Sequence, residues 1–300
     1  MKSTISVSTL FSGGGEMGEL MNAHDWSETP VGPVSDWPQS LKTAVRIILT
    51  SRFAMFVWWG RELVNLYNDP YRAFLGKKHP EALGKRAPEV WREIWEQIGP
   101  RTEAVLSRGE STFDEALLLL MERHGYVEET YFTFSYSPLP DDDGAIGGLF
   151  CAVTEETQRV IGERRLNLLR EIGTAVAETR TVREVCVSVM RSLERAQRDL
   201  PFSAIYLADQ RGEGFERVSY CGIDGAHAAV PATIRIDGSE ETLWPFRQVM
   251  RSGEAVLVDH IPAAATGLPT GLWARPPRQL ICCPSRSRDR PVPPAFSLPA

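Results

Sequence analysis

The stretch Glu62–Gly76, "ELVNLYNDPYRAFLG", decides the fold of the first half of the chain. A run typical of a β-strand stops at Asn68, and a short helical segment takes over and ends at Gly76. The Asn68 side chain can cap that helix by accepting a hydrogen bond from a free backbone N–H of the first turn. Gly76 can adopt the left-handed conformation that ends many helices. The stretch therefore predicts a strand that turns directly into a short helix, which lays Tyr71 and Phe74 on the sheet.

The composition bounds the class of protein. The chain has 300 residues, of which 43% are hydrophobic and 24% charged, which suits two globular domains. A net charge of -6 argues against a general nucleic-acid binder. The five cysteines are scattered, odd in number and without a CxxC pair, so we expect reduced thiols and neither a disulfide framework nor a metal site. The N-terminus lacks a secretory pattern and the longest apolar runs are too short to span a bilayer, which predicts a cytoplasmic protein without a membrane span.

Hydrophobic periodicity organises the first half of the chain. We expect a flexible segment at 1–15, a short helix at 16–24, a proline-rich loop and a helix at 40–51. Residues 88–108 have helical spacing, which Gly99-Pro100 interrupts. The remaining segments read as strands, in which Phe132, Phe134 and Tyr136 alternate with small polar residues. The predicted strands are 53–59, 62–68, 111–123, 125–139 and 144–156.

The second half begins with a change of period. Ile161, Leu168, Ile172 and Val176 share one stripe of a charged helix, and 182–193 forms a strongly amphipathic helix. A mixed set of short strands and one further helix follows. The predicted strands are 202–209, 214–222, 232–237 and 254–259, and the predicted helix is 243–251.

Three segments carry a resemblance to a known family. The run "LVNLYNDPYRAFLGKKHPEALGK" resembles the second strand and first helix of a PAS domain. The order of strands and helices across about 50–155 is similar to the PAS topology. The run "CAVTEETQRV" looks like the PAS exit, where Thr154 and Glu155 would hand over to a signalling helix. The resemblance implies a five-stranded antiparallel sheet with flanking helices.

Two further resemblances complete the predicted organisation of this α+β chain. The run "GEMGELMNAHDWSETPVGPVSDWPQSLKTAV" is similar to the leader that precedes the PAS domain in a group of bacterial sensor histidine kinases. The segment from about 165 to 260 resembles the first part of a GAF domain. We therefore divide the chain into a leader, a PAS-like domain, a connecting signalling helix, a partial GAF-like domain and an irregular tail. Their predicted bounds are 1–40, 41–155, 156–180, 165–275 and 276–300.

The family resemblance implies a sensory function. PAS and GAF domains of this type detect a small molecule or another signal, form dimers, and control a downstream kinase or other output domain through the connecting helix. The chain itself lacks an Asn box, an ATP lid and a phosphoacceptor box, so we expect no kinase activity from it alone. The same input modules also precede diguanylate cyclases and phosphatases, and a stand-alone truncated sensory or interaction protein is a further alternative.

No cofactor signature accompanies the resemblance. A photoactive flavin PAS domain needs a Cys in its helical region, but no Cys precedes Cys151, and residues 88–108 contain no His to ligate a haem. A bilin-attaching Cys is not evident either. Any ligand is thus expected to be noncovalent. Six residues are the predicted pocket lining, although they would equally well fill a core: Phe56, Trp58, Leu66, Tyr71, Phe74 and Phe134.

Two motifs suggest chemistry that their surroundings do not support. "GGGEMG" fits G-x-G-x-x-G, but a proline-rich loop follows it instead of a βαβ unit, so we expect a flexible leader and no nucleotide site. "HDWSETP" is similar to a phosphoacceptor box but is one residue too long, and prolines follow it. We find no nucleophile–base pair, and we predict no catalytic residue in the chain.

The C-terminal tail does not continue the second domain as expected. A GAF domain should add two core strands and a closing helix, yet prolines alternate with Arg and Ser from Pro284 onward. Proline cannot donate to a sheet ladder, so we expect this tail to contribute no strand. We interpret it as a lost reading frame near Gln279–Ile281 or as a truncated remnant.

Overall fold

The computed structural model describes residues 7–209, 213–235, 244–259, 261 and 267–284. The chain divides into two compact units, Met1–Gly162 and Glu163–Ala300. Each unit is described by itself.

The first unit contains the expected five-stranded antiparallel sheet, in the order β2-β1-β5-β4-β3. In the central strands the partners Phe56, Cys151 and Tyr136 lie opposite one another, and Val57 lies opposite Leu66. Because neighbouring residues of a strand project to opposite faces, Phe56 and Val57 define the two faces of the sheet. The strands are β1 Ala54–Trp59, β2 Val64–Tyr67, β3 Thr112–Met121, β4 Glu128–Pro140 and β5 Ile146–Glu155.

Six helices complete the first unit, and a seventh begins at its end. The predicted helix at 88–108 is broken earlier than expected, at 91–94, and its second part continues through Pro100. Pro100 is tolerated because it lies in the second turn of that helix and removes a single hydrogen bond. The helices are α1 Val7–Leu10, α2 Gly15–Ala23, α3 Gln39–Thr50, α4 Arg72–Leu75, α5 Ala87–Val90, α6 Trp95–Arg108 and α7 Thr157–Ala177.

The leader is folded, and the expectation of a flexible segment at 1–15 is wrong for its described part. Leu10 and Phe11 are buried, as are Met17, Met21 and Trp26, and all five belong to the same hydrophobic cluster as the sheet. Gly18 of "GGGEMG" serves close packing, since a Cβ there would lie 2.4 Å from the carbonyl oxygen of Phe11. Residues 1–6 lie outside the described part of the chain.

The second unit has smaller sheets. A three-stranded sheet has the order β6-β7-β8, and a two-stranded ladder joins β9 to β10. The inner stripe of α7, Leu168 and Ile172, packs on a cluster that includes Met190. The elements are α8 Val182–Leu193, β6 Ser203–Ala208, β7 Gly214–Cys221, β8 Thr233–Arg235, α9 Phe246–Ser252, β9 Val256–Val258 and β10 Leu280–Cys282.

The beginning of the predicted tail corrects one expectation. Residues 276–300 were expected to contribute no strand, but Leu280–Cys282 pairs with Val256–Val258 as β10. The strand is possible because the first proline after it, Pro284, lies beyond the paired residues. Residues 285–300, which hold the prolines that follow Pro284, lie outside the described part of the chain.

Candidate ligand-binding site

A cavity of about 40 Å³ lies on the inner face of the first sheet. Phe56, Tyr136 and Cys151 project into it from adjacent strands, because opposed residues of antiparallel strands share a face. Two residues of the segment between β2 and β3, Trp91 and Ile98, close the cavity from the other side. The site is therefore a gap between a sheet and the helices that cover it.

Five of the six predicted lining residues surround this cavity, and Leu66 does not. The five are Phe56, Trp58, Tyr71, Phe74 and Phe134. Leu66 is fully buried, but it lies opposite Val57 in the β1–β2 ladder and so projects to the other face of the sheet. The prediction for Leu66 is wrong because the register of the ladder, and not the apolar character of the residue, decides its face.

Nine further residues line the cavity that were not predicted to do so. The alternating pattern of β4 already marked Phe132 and Tyr136 as residues of one face. No such pattern marks Trp91, which lies just beyond the last residue of α5. The nine residues are Trp91, Ile94, Ile98, Leu119, Met121, Phe132, Tyr136, Cys151 and Val153.

The lining is uncharged at neutral pH. Burial raises the pKa of Tyr71 and of Tyr136 well above the ordinary tyrosine value, and the neighbouring Cys151 thiol adds to both shifts. Burial likewise raises the pKa of Cys151 well above the ordinary thiol value. All three groups therefore stay protonated. The cavity can hold a guest by apolar contact and by hydrogen bonds, whereas a charged guest would lose its hydration without a partner.

Asn68 joins three elements beside the cavity. Its Oδ1 accepts hydrogen bonds from the backbone N–H of Met55 at 3.0 Å and of Tyr71 at 3.3 Å. Its Nδ2 donates to the carbonyl oxygens of Ile48 at 3.0 Å and of Phe53 at 2.7 Å. The side chain thus caps the short helical turn Asp69–Tyr71 and also ties the end of α3 to β1.

Gly76 ends α4 with a positive φ of 54° and a ψ of −122°, a conformation outside the left-handed helical region that the sequence suggested. A Cβ at this position would lie 2.4 Å from the carbonyl oxygen of Arg123. The N–H of Lys77 donates to the same oxygen at 2.9 Å. Gly76 is therefore required both by its backbone conformation and by the close approach of the β3–β4 hairpin.

A polar network, which we name the exit network, ties that hairpin to the start of α7. It comprises Arg123, Glu128, Glu155 and Thr157. The Arg123 guanidinium donates to Glu128 at 3.0 Å and to Glu155 at 2.9 Å. The Thr157 hydroxyl donates to Glu155 at 2.8 Å and accepts from the N–H of Tyr131 at 3.0 Å.

Of the two predicted exit residues, Glu155 belongs to this network and Thr154 lies on an exposed position of β5. Thr157 was not predicted. It is the buried residue of α7, and the spacing Glu-x-Thr at the junction of strand and helix was the signal for it. A strand residue next to Glu155 projects to the opposite face, whereas the first helical residue can turn back toward it.

Comparison with known families identifies the first unit. The family model described as "PAS fold" matches residues 54–161. Residues 54–161 form a PAS domain. The match spans all five strands of the first sheet and the cavity, and it ends within the first turns of α7. The PAS resemblance of the sequence and the predicted five-stranded antiparallel sheet are thereby confirmed. No kinase core is shown in this chain.

Solved structures similar to parts of the chain include a sensor histidine kinase, a PAS domain and a GAF domain. One is a sensory box sensor histidine kinase from Vibrio cholerae, at 16% identity and a TM-score of 0.26, covering 39% of this chain and 89% of that chain. Another is the PAS domain of BvgS from Bordetella pertussis. Its sequence identity is 23% and its TM-score 0.28, and the match covers 42% of this chain and 92% of that chain. A third is the GAF domain of an Acinetobacter phosphoenolpyruvate-protein phosphotransferase. Its sequence identity is 16% and its TM-score 0.32, and the match covers 45% of this chain and 76% of that chain. No curated protein matches the chain.

Two kinds of feature, a metal site and a membrane-spanning helix, are absent from the described residues. In residues 7–209 and the other described ranges, no group of three His, Cys, Asp or Glu side chains is arranged to hold a metal ion. Within the same ranges, no helix has the length and apolar character needed to cross a membrane.

Proposed function

We propose that this chain is a cytoplasmic sensory input module of a two-component signalling protein of the histidine kinase type. Its PAS domain binds a small molecule noncovalently in the cavity, without flavin, haem or bilin, and α7 passes the change to a downstream output domain. The second unit contributes as a GAF-like module in this proposal, as its sequence resemblance implies. The free thiols of the buried Cys151, Cys186, Cys221 and Cys282 support a reducing compartment.

One observation carries this proposal. Cavity residues are direct cross-strand partners of exit-network residues. Phe132 lies opposite Glu155 in the β4–β5 ladder, and Met121 lies opposite Glu128 in the β3–β4 ladder. Opposed residues share a face and contact each other, so a guest that moves Phe132 or Met121 changes the positions from which both carboxylates bind Arg123. Binding in the cavity is thereby coupled to the start of α7.

The proposed module acts as a dimer through an exposed stripe on α7, formed by Gly162, Leu166, Leu169 and Gly173. Leu166 is 55% exposed and Leu169 is 63% exposed, whereas Leu168 and Ile172 already pack on the second unit. The spacing of four, three and four residues is the heptad spacing of a coiled coil. A Cβ at either glycine would meet no atom within 4 Å, which leaves room for a partner helix.

The coupling can be tested by loosening the cavity wall. We expect Phe132→Leu to speed amide hydrogen exchange of 155–160 by about fivefold, because lost contacts at Phe132 free Glu155, at a total cost of about 1–2 kcal/mol in stability. Exchange of Val64–Tyr67, at the far edge of the sheet, should change less. Hydrogen exchange measured by mass spectrometry on the full chain gives both rates.

The matched control is Val57→Ala, on the other face of the sheet. It should lower the free energy of unfolding by about 2 kcal/mol without a selective change at 155–160. If both variants speed exchange at the exit to the same extent, the cavity is not coupled to α7 and the sensory proposal is wrong.

A further inference from the structure

One buried donor in the cavity has no partner. Trp91 is only 2% exposed and lines the cavity, yet its indole Nε1–H makes no hydrogen bond with any described residue. It faces the Tyr71 hydroxyl without reaching a hydrogen bond of normal geometry. Trp58, in the same cavity, shows the ordinary situation, since its Nε1–H donates to Asn65 Oδ1 at 3.0 Å. Buried donors are nearly always paired, so the exception marks the Trp91 Nε1–H as the lining donor that is open to an acceptor on a guest.

The residues around Trp91 determine which charge a bound guest can carry. No lining residue is charged, so a charged guest would be buried without a counter-ion. A cation is further disfavoured because the Lys78 ammonium lies 4.4 Å from the Trp91 ring centroid and already occupies one face of the indole. Lys78 is itself paired with Glu93, so its charge does not call for an anionic guest. The guest is therefore neutral.

The dimensions of the cavity decide the size of the guest. A volume of about 40 Å³ admits only a few non-hydrogen atoms, since one water molecule occupies roughly 10–15 Å³ on this scale. The aromatic rings around it favour a flat apolar body. Phe74 is the one predicted lining residue that is partly exposed, so a six-membered ring, which exceeds the closed volume, enters when the Phe74 ring moves outward.

We propose that the cavity binds a small, uncharged, flat and mostly apolar molecule whose single hydrogen-bond acceptor engages Trp91 Nε1–H. Nitrogen heteroaromatics and small cyclic ketones are molecules of this class. The inference rests on the proposed sensory function and specifies the ligand of the same site. Trp91 is the specificity-determining residue in it, and the aromatic walls supply the apolar contact.

A matched pair of probes isolates the acceptor. Pyridine and benzene have the same shape and differ in one ring nitrogen, and pyridine is used at a pH at which it is uncharged. On titration of the full chain, the Trp91 indole N–H resonance in a ¹H–¹⁵N spectrum should move downfield with pyridine and not with benzene. The resonance is assigned by its absence from the Trp91→Phe variant.

The variant also provides the energetic test. Trp91→Phe should weaken pyridine binding by about fivefold, the worth of one hydrogen bond, and leave benzene binding within about twofold. The control is Trp95→Phe, a nearby tryptophan that packs on Trp58 outside the lining, and it should change neither affinity. Where Trp91→Phe folds poorly, the indole resonance is assigned in the wild-type chain from its through-space contacts, so the shift still tests the inference.

The outcomes separate this inference from the sensory proposal. A selective indole shift together with a loss confined to pyridine supports the inference. Equal binding of both probes, or a preference for pyridine that survives in Trp91→Phe, overturns it and leaves a ligand-binding cavity in place. If neither probe perturbs any cavity resonance, the inference fails and the cavity loses its support as a sensory pocket as well.

Discussion

The two ends of the PAS domain are attached in opposite ways. At the leader end, apolar burial predominates, beside two backbone hydrogen bonds from α2 to Asp69: Trp26 and Met21 belong to the same hydrophobic cluster as Val57. At the exit end, α7 leaves β5 through charges and hydrogen bonds, and Thr157 is the buried residue of that helix. The leader thus extends the hydrophobic core, whereas α7 is attached to β5 mainly through polar contacts.

The difference matches what a sensor needs from each end. Apolar burial is non-directional and scales with area, so small shifts of the sheet leave the leader attached. Ion pairs and hydrogen bonds depend on distance and angle, and their net contribution is small, so a guest in the cavity can rearrange them at a modest cost in free energy. In the proposed function, the leader end anchors the domain and the exit end is the part that a guest rearranges.

The largest effect on stability is expected from Trp26→Ala in the leader, which tests whether the leader is part of the core. Trp26 is buried, packs edge-on to Trp37 at 4.9 Å and donates its Nε1–H to the carbonyl oxygen of Met21 at 2.7 Å. Its removal leaves a cavity and an unpaired carbonyl, so we expect the free energy of unfolding of the first unit to fall by about 3–5 kcal/mol. Urea denaturation followed by tryptophan fluorescence and circular dichroism measures the change.

Phe53→Ala is the control for this substitution, because Phe53 is 69% exposed. Its effect should stay within about 0.5 kcal/mol. If Trp26→Ala is equally mild, the leader does not contribute to the core, and the contrast between the two ends disappears.

The parts of the fold that depend on residues close in sequence were predictable. The alternation along β4 and the strand–helix turn at Asn68 are set by residues close in sequence, and these elements were predicted. The burial of Leu10 and Met17 was not, because a short run of apolar residues shows no period until its partners are known. The leader packs against residues that lie far away in the sequence, and a single chain read in order does not reveal such contacts.

The candidate site was predicted to the extent that it depends on residue type. Aromatic character identified Phe56 and Trp58 as lining residues, but the faces of Leu66 and Thr154 depend on strand register and on the turn into α7. Trp91 depends on where α5 ends, and helix ends are the least predictable part of an element. Strand register and the position of a helix end therefore decided which site residues the sequence did not predict.

A smaller effect on stability is expected at the exit end, where Glu128 pairs with Arg123. Burial by itself raises the pKa of Glu128, but the hydrogen bond from His124 and the charge of Arg123 outweigh it, so the pKa lies below the ordinary value of 4.5. The charged form is therefore favoured by folding. At about pH 7 we expect Glu128→Gln to cost roughly 1–3 kcal/mol, since the neutral amide lacks the carboxylate charge that pairs with the partly buried Arg123.

The pH dependence of this effect follows from its sign. A lowered carboxyl pKa in the folded state gives stability that is present above the ordinary value of 4.5 and is lost as pH falls through the folded value. The difference between wild type and Glu128→Gln should thus shrink below that pH, as urea titrations across the acid range would show. Glu110→Gln, which alters an exposed ion pair with Arg108, should have little effect at any pH. A constant difference down to acid pH would contradict a charge-based exit.

The smallest effect on folding is expected farther along α7, where the exit helix meets its proposed partner. Leu169→Glu places a charge on the exposed stripe and should leave the free energy of unfolding of the single chain within about 0.5 kcal/mol of wild type. It should nevertheless convert a dimer into a monomer, because a coiled-coil seam does not accept a buried unpaired carboxylate. Light scattering coupled to size exclusion measures the mass. Asn167→Glu adds the same charge beside the stripe and should remain dimeric. A wild-type chain that stays monomeric at high concentration, or equal dissociation of both variants, would exclude this stripe as the dimer seam, and the exit end would then have to act within one chain.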